Sequence, residues 1–316
     1  MEFAIETQGL CKRFSSRARP AVHDLDLTIS RGQLFGLVGP DGAGKTTALR
    51  MLSSVMEPTG GSARVAGYDV RKEAEQVRRR IGYMPQNFSL YPDLSVVENL
   101  DFFADIHHVP AARKTLRIAE MLAFTRLEPF RARRAGKLSG GMKKKLALAC
   151  ALVHSPEILL LDEPSTGVDP VSRRELWLIL ADIVQQGVTV LVSTPYMDEA
   201  ERCHQVGMLY DGRLLTSGTP EELAARLPFS IVEVKARPRK DMRRIVAEIP
   251  GVLEWRPVGD RLRLAVASGN GQAALVMQAL EECFVRDGLE IRLLRAARAG
   301  MEDVFVHLVL EQRGGA

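Results

Sequence analysis

Apolar positions follow different rules in the two parts of this chain. In the first part they form short uninterrupted runs, Leu34-Phe-Gly-Leu-Val38 and Ile158-Leu-Leu-Leu161. Runs so short, apolar at every position, predict strands buried on both faces, as in a parallel sheet. Lys45-Thr-Thr-Ala-Leu-Arg-Met-Leu52 follows the first run and reads as a helix. Between the two runs the period lengthens. Asp93 or Ser95 is placed to cap a helix running through Glu98, Leu100, Phe102 and Phe103. Ile118, Met121 and Leu122 share a helical face, and a helix opened by Ser139 carries Met142, Leu146, Ala149, Cys150 and Val153 as its buried face.

Near Leu227-Pro228 the pattern changes. Ile231–Ala236 alternates like a half-buried strand. Met242, Ile245, Val246 and Ile249 mark a helix. Val252–Trp255 and Leu262–Val266 flank Gly259-Asp260, a hairpin signal. Leu275, Val276, Ala279, Leu280 and Cys283 give a second helix, and Leu289, Ile291 and Leu293 a further strand. Met301, Val304, Phe305 and Leu308 close the chain with a helix. The order βαββαβ predicts a small α+β domain of ferredoxin-like type over 229–316, after an α/β domain over 1–228.

The junction between the first run and its helix carries explicit chemistry. Gly39-Pro-Asp-Gly-Ala-Gly-Lys-Thr46 is a phosphate-binding loop between strand and helix. Its glycines let backbone N–H groups curl around phosphate oxygens, and the helix N-terminus adds its positive dipole end. Gly39, Pro40, Asp41, Gly42, Ala43, Gly44, Lys45, Thr46 and Thr47 are therefore the candidate nucleotide-binding residues. Lys45 is expected on the β- and γ-phosphates, with a catalytic role, and the Thr46 hydroxyl on Mg²⁺.

The second run delivers Asp162 and Glu163 to a strand's C-terminal end, where open α/β sheets bind ligands. Asp162 is expected to hold Mg²⁺, directly or through water. Glu163 is the candidate base or water-orienting group for attack on the γ-phosphate. Ser139 is a good N-cap, and Gly140 and Gly141 leave backbone N–H groups bare, making a second anion-facing element without a lysine of its own. One triphosphate pocket and two phosphate-facing elements are reconciled if the second element completes a pocket on another copy.

These motifs, in this order, resemble the ATP-binding subunits of ABC transporters of the drug-exporter type over roughly residues 1–228. The resemblance implies a P-loop NTPase domain with a helical subdomain over about 87–155. It places Phe14 on the adenine. It makes Gln86, in Tyr83-Met-Pro-Gln86, a catalytic and magnesium-contacting residue that links the γ-phosphate to the membrane partner. Leu138–Met142 matches the signature motif, with Met142 where glutamine is more usual, and Asp169 matches the loop at the dimer interface. The segment after Gln86, with Phe88, Leu90 and Tyr91, is where a permease would dock. Gly207–Tyr210, Arg213–Leu215 and Gly218–Glu222 match the domain's closing strands and helix. The C-terminal domain is similar to an extension found in some exporter ATPases, with dimerisation or regulation its expected role.

One position departs from the family. Pro195 follows Ser193-Thr194, where the family carries a histidine that contacts the γ-phosphate and aligns the attacking water. Proline has neither a side-chain donor nor an N–H, so slow hydrolysis with intact ATP binding is expected at this chain's own pocket. The partners implied are ATP, integral membrane permease subunits and a second ABC ATPase domain, as a homodimer or, given Pro195, a heterodimer. Two other readings stay open. One is a nucleotide-gated regulatory half of an asymmetric dimer. The other is a soluble ATPase of this type acting on nucleic acid or ribosomes.

Composition narrows these choices. The 316 residues carry 46% apolar and 26% charged residues and a net charge of +4, ordinary for a globular protein with a real core. Basic residues cluster at Arg131, Arg133, Arg134, Lys137 and Lys143–Lys145. No aromatic residues interleave them as a base-stacking surface needs, so a solvated face is expected and no nucleic-acid partner. His154 and His204 are read as structural. Cys11, Cys150, Cys203 and Cys283 form no metal-ligand pair and are expected reduced in the cytosol. The first residues lack a secretion-signal pattern, and no apolar stretch approaches the roughly eighteen residues of a membrane span. The expected location is peripheral, on the inner face of the cell membrane through a permease.

Overall fold

The computed structural model describes residues 3–15, 19–87, 90–269 and 271–314. The chain divides into two compact units, Met1–Pro220 and Glu221–Ala316, against an expected boundary at residue 228.

The first unit opens with β1 (Phe3–Lys12) and β2 (Val22–Ser30), then β3 (Leu34–Val38), which runs into α1 (Lys45–Leu52). Next come β4 (Gly60–Val65), β5 (Tyr68–Asp69), α2 (Ala74–Arg80) and β6 (Ile81–Met84). A helical stretch follows, α3 (Val96–Ile106), α4 (Ala111–Phe124) and α5 (Gly140–Leu152). The unit ends with β7 (Ile158–Asp162), α6 (Pro170–Gln185), β8 (Thr189–Thr194), α7 (Met197–Ala200), β9 (Gln205–Tyr210) and β10 (Arg213–Gly218). The boundary falls at the start of α8 (Pro220–Ala225).

Two sheets result. One is antiparallel, in the order β2-β1-β4-β5. The other has the order β10-β9-β3-β8-β7-β6 and is parallel except for its edge strand β10. Every residue of β3, β7 and β8 is buried, as expected for apolar runs between two covering layers. Register sets their ends level: Val38 pairs Thr194 and Asp162 pairs Ser193. The ends of β3, β7 and β8 therefore open on one crevice.

Helix α3 takes Ser95, not Asp93, as its N-cap. Ser95 and Glu98 form a reciprocal capping box. Helix α5 differs from expectation. Leu146, Ala147, Leu148, Ala149, Cys150, Ala151 and Leu152 are all buried, while Met142 is only half-buried. A helix apolar on every side belongs in a core rather than on its edge.

The second unit contains β11 (Phe229–Arg237), α9 (Arg239–Glu248), β12 (Val252–Val258), β13 (Arg261–Ala267), α10 (Gln272–Arg286), β14 (Glu290–Ala297) and α11 (Met301–Gly314). Its antiparallel sheet has the order β12-β13-β11-β14, the arrangement of a ferredoxin-like domain with an added final helix. Gly259 supplies the positive φ, 61°, that the two-residue hairpin needs. Val232, Val234, Leu264 and Val266 pack with Ile245, Val246, Leu280 and Phe284 as its core. On the alternate positions, Glu233 is buried among Arg261, Arg263 and Arg295.

Candidate functional site

The loop between β3 and α1 is shaped by close backbone approach. A Cβ on Gly39 would lie 2.1 Å from the Leu209 carbonyl oxygen. At Gly44, with φ of 104°, it would lie 2.3 Å from the Ala21 oxygen. Only glycine fits either place. Asp41, Gly42, Gly44, Lys45, Thr46 and Thr47 line a cavity of about 240 Å³, together with Ala21, Gln86 and Glu163. Lys45 is 3% exposed. Its Nζ donates to the carbonyls of Gly39 (2.8 Å) and Pro40 (3.0 Å) and stands 3.3 Å from Glu163 Oε1.

Strand β7 brings the acidic pair to the same crevice. Thr46 Oγ1 donates to Asp162 Oδ1 at 3.0 Å, and Ser193 Oγ donates to the same oxygen at 2.7 Å. Asp162 Oδ2 is buried and has no protein partner. Glu163 turns sharply off the strand with φ of 49°, a region costly for a side chain larger than glycine. Its N–H is held by Ser193, through the carbonyl and the hydroxyl, both at 3.1 Å. Its Oε2 accepts from Gln86 Nε2 at 3.0 Å and from Thr166 Oγ1 at 3.3 Å. Residues spread over more than a hundred positions of sequence thus form two neighbouring bonded groups, Lys45 and Gln86 on Glu163, and Thr46 on Asp162.

Other predicted residues lie elsewhere. Ser139 caps α5, accepting from the Met142 N–H at 3.3 Å. A Cβ on Gly140 would come to 3.7 Å from the Gly167 oxygen, and one on Gly141 to 2.4 Å from Ser172 Oγ, so this motif packs on the start of α6. Asp169 caps α6, accepting from the N–H groups of Val171 (3.1 Å) and Ser172 (3.0 Å), which hold its carboxyl below the usual carboxylate range. None of these four lines the cavity at Lys45. Phe14 is 63% exposed, with Lys12 Nζ 5.7 Å from its ring centre, so it is not a core aromatic. Tyr91 is exposed and meets Phe102 edge-on at 4.5 Å, whereas Phe88 lies outside the described residues.

The turn after β8 is held from below. Glu199, fully buried, accepts from Thr194 Oγ1, from Trp177 Nε1 at 3.1 Å and from Arg173 Nε at 2.6 Å. Arg173 also bonds Asp198 and stacks on the Tyr196 ring at 4.6 Å. Pro195 spans this frame without adding a polar group to it. His204 Nδ1 accepts from the Leu34 N–H at 3.0 Å, and His154 Nε2 lies 3.0 Å from the Ile81 carbonyl, both structural roles as expected. Among the described residues no group of His, Cys, Asp and Glu forms a metal cluster, and no helix is long and apolar enough to cross a membrane.

Three contributors escaped sequence reasoning. From the neighbouring strand, Ser193 holds the Asp162 carboxylate and the Glu163 main-chain N–H; its signal is the position at the end of the apolar run Val190–Val192. Thr166 reaches Glu163 from the following turn. Lys144 is not part of a solvated face: its Nζ donates to the Gln86 carbonyl at 3.3 Å. Lys145 likewise pairs with Glu175.

Known proteins resemble this chain in sequence and in fold. Residues 22–166 match the family model described as ABC transporter. The chain is 46% identical over 263 residues to the probable multidrug ABC transporter ATP-binding protein YbhF of Escherichia coli, covering 82% of this chain and 45% of that protein. It thus spans less than half the length of that relative. It is 36% identical to the daunorubicin resistance ATP-binding protein DrrA3 of Streptomyces coeruleorubidus, over 98% of this chain and 97% of that one. Among solved structures, an ATP-binding subunit of an ABC transporter matches with a TM-score of 0.64 and 28% identity, over 71% of this chain and 92% of that one. A post-hydrolysis dimer of the cassette MJ0796 with ADP and Pi matches with a TM-score of 0.63 and 25% identity, over 68% and 98%. The phosphate loop, the paired carboxylates, the capped glycine motif of α5 and a full-length relative of this identity agree: the chain belongs to the ABC transporter family, as one of its ATP-binding cassettes.

Proposed function

We propose that this chain binds and hydrolyses ATP to power a separate membrane-spanning permease of an exporter. The observation that carries the proposal is the convergence of Lys45, Thr46, Gln86 and Glu163 on one cavity, with Asp162 bonded to Thr46 behind its wall. Lys45 and the loop N–H groups neutralise the β- and γ-phosphates. Glu163, held by Gln86 and Thr166, is the base or orienting group for water. The exporter assignment draws on relatives named for multidrug, daunorubicin and Nod factor export.

Mg²⁺ fits the donors present. The unpartnered Oδ2 of Asp162 and the Thr46 hydroxyl are hard oxygen donors side by side, and Gln86 adds an amide oxygen. A bound ion there would neutralise charge developing on the phosphates. The separation of Ser139–Gly141 from the cavity at Lys45 supports a dimer in which each chain completes its partner's site. The partner is a second copy or, given Pro195, a different cassette.

Replacement of Glu163 tests the reading. In Glu163→Gln, turnover should fall by about 10²–10⁴-fold while ATP binding persists. Unchanged phosphate release in that variant would refute a hydrolytic role for this pocket. Pro195 favours one second reading, a nucleotide-gated partner with negligible turnover. An inactive wild-type chain that still binds ATP would establish it.

A further inference from the structure

Gln86 is a wall shared by two cavities. One is the cavity at Lys45. The other, of about 380 Å³, lies against α5, bounded by Asn87, Leu90, Pro92, Gly140 and Lys144. The two faces of Gln86 are held by different partners. On the first, its side-chain Nε2 donates to Glu163 Oε2 at 3.0 Å. On the second, its main-chain carbonyl accepts from Lys144 Nζ at 3.3 Å. Lys144 sits on α5, one turn beyond the Ser139–Gly141 motif. Its ammonium is half-buried, and burial lowers its pKa from the usual lysine value while the Glu163 and Asp162 carboxylates oppose that shift. Among the described residues, the other ties on the stretch after Gln86 lie further along, where Asn99 holds Tyr91 and Leu94 and the Gly136 N–H donates to the Pro92 carbonyl. Strand β6 ends at Met84, and the next element, α3, begins only at Val96. A side chain as short as glutamine follows its own main chain, so a backbone shift of about 1 Å at residue 86 is enough to lift the amide off Glu163.

We propose that Lys144 is a positioning residue for hydrolysis, holding the Gln86 main chain from helix α5 so that the Gln86 amide stays on Glu163. The proposal rests on the ATPase reading of this pocket and adds a residue that acts through Gln86, without touching nucleotide. It also makes the orientation of Glu163 depend on where α5 stands. Movement of the helix carrying the partner-facing glycine motif is thereby transmitted to this chain's own pocket.

The test uses the full chain with Mg²⁺ and ATP. Lys144→Met keeps the stem and removes the donor; Lys144→Arg restores a donor. Lys144→Met should lower kcat by about tenfold, with KM and the equilibrium Kd for ATP changed less than about twofold. Lys144→Arg should recover most of the loss. In a Gln86→Ala background, Lys144→Met should have no further effect, because both changes break one relay. An unchanged kcat, or full additivity with Gln86→Ala, would overturn the proposal. Hydrogen exchange reads the tether without turnover: amides of residues 86–87 should exchange faster in Lys144→Met while those of α5 do not. Unchanged exchange at 86–87, or equal loosening of α5, would also overturn it. A wild-type chain without turnover would remove the ATPase reading, and the exchange experiment would still decide whether Lys144 tethers Gln86.

Discussion

At residue 195 a proline stands where the resemblance implies a histidine that contacts the γ-phosphate. The frame beneath it is complete: Thr194, Tyr196, Asp198 and Glu199 are each held by hydrogen bonds or stacking. Pro195→His should therefore leave the fold intact and raise kcat by on the order of 10²-fold, the worth of one transition-state hydrogen bond in an active site. Phosphate-release kinetics would check this, and an unaltered kcat would mean that something else limits turnover. Gly39 makes the opposite case, a position with no freedom. Gly39→Ala puts a methyl into the Leu209 carbonyl, and urea unfolding should show a loss of about 3 kcal/mol. Residue identities such as Lys45, Thr46, Asp162 and Glu163 were legible in the sequence because each is fixed by a few neighbours along the chain. Ser193 and Lys144 were not. Their roles arise from a parallel strand pairing and from a helix folding over a loop, neither of which leaves a local pattern.

Among elements, the parallel strands were the most legible, since β3 and β7 are apolar at every position and so end where polarity returns. Helix α5 was misread as one-faced because only part of its apolar set was counted, and its C-terminal half is apolar all round. That half matters for how the helices dock. The stacked rings of His107 and His154, 3.8 Å apart and 5° from parallel, join the end of α3 to the end of α5. Burial first, and then the His107 ring, push the His154 pKa down to about 4, against about 6.5 in an unfolded chain. Between these values the unfolded state binds more protons than the folded one. The contribution of His154 to stability therefore falls as pH is lowered from about 6.5 to 4, with a slope of at most about 1.4 kcal/mol per unit, and His107, whose pKa burial also lowers, acts in the same direction. Urea midpoints measured from pH 7 to 4.5 should drop, and His154→Phe should remove most of the slope. A slope unchanged by His154→Phe would assign it to other groups.

For the whole molecule, the division into two units was legible at Leu227-Pro228 as a change of period, and the contacts place it at Pro220, a few residues earlier. What a sequence does not announce is which motifs will be strangers in the folded chain. Ser139–Gly141 reads as a partner to the phosphate loop, yet it packs against Gly167 and Ser172 at the start of α6, and does not line the cavity of Lys45. If cassettes pair as proposed, one chain's defects need not share a site. A chain carrying Lys45→Ala and one carrying Ser139→Arg should each be dead alone. Mixed in equal amounts, they should recover roughly a quarter of the wild-type rate, the share of intact sites expected from random pairing. No recovery would mean that sites are built within one chain, or that both must fire together. In genetic terms, two recessive null alleles of this protein should complement each other. A Lys45 lesion and a Glu163 lesion, lying in the same pocket, should not.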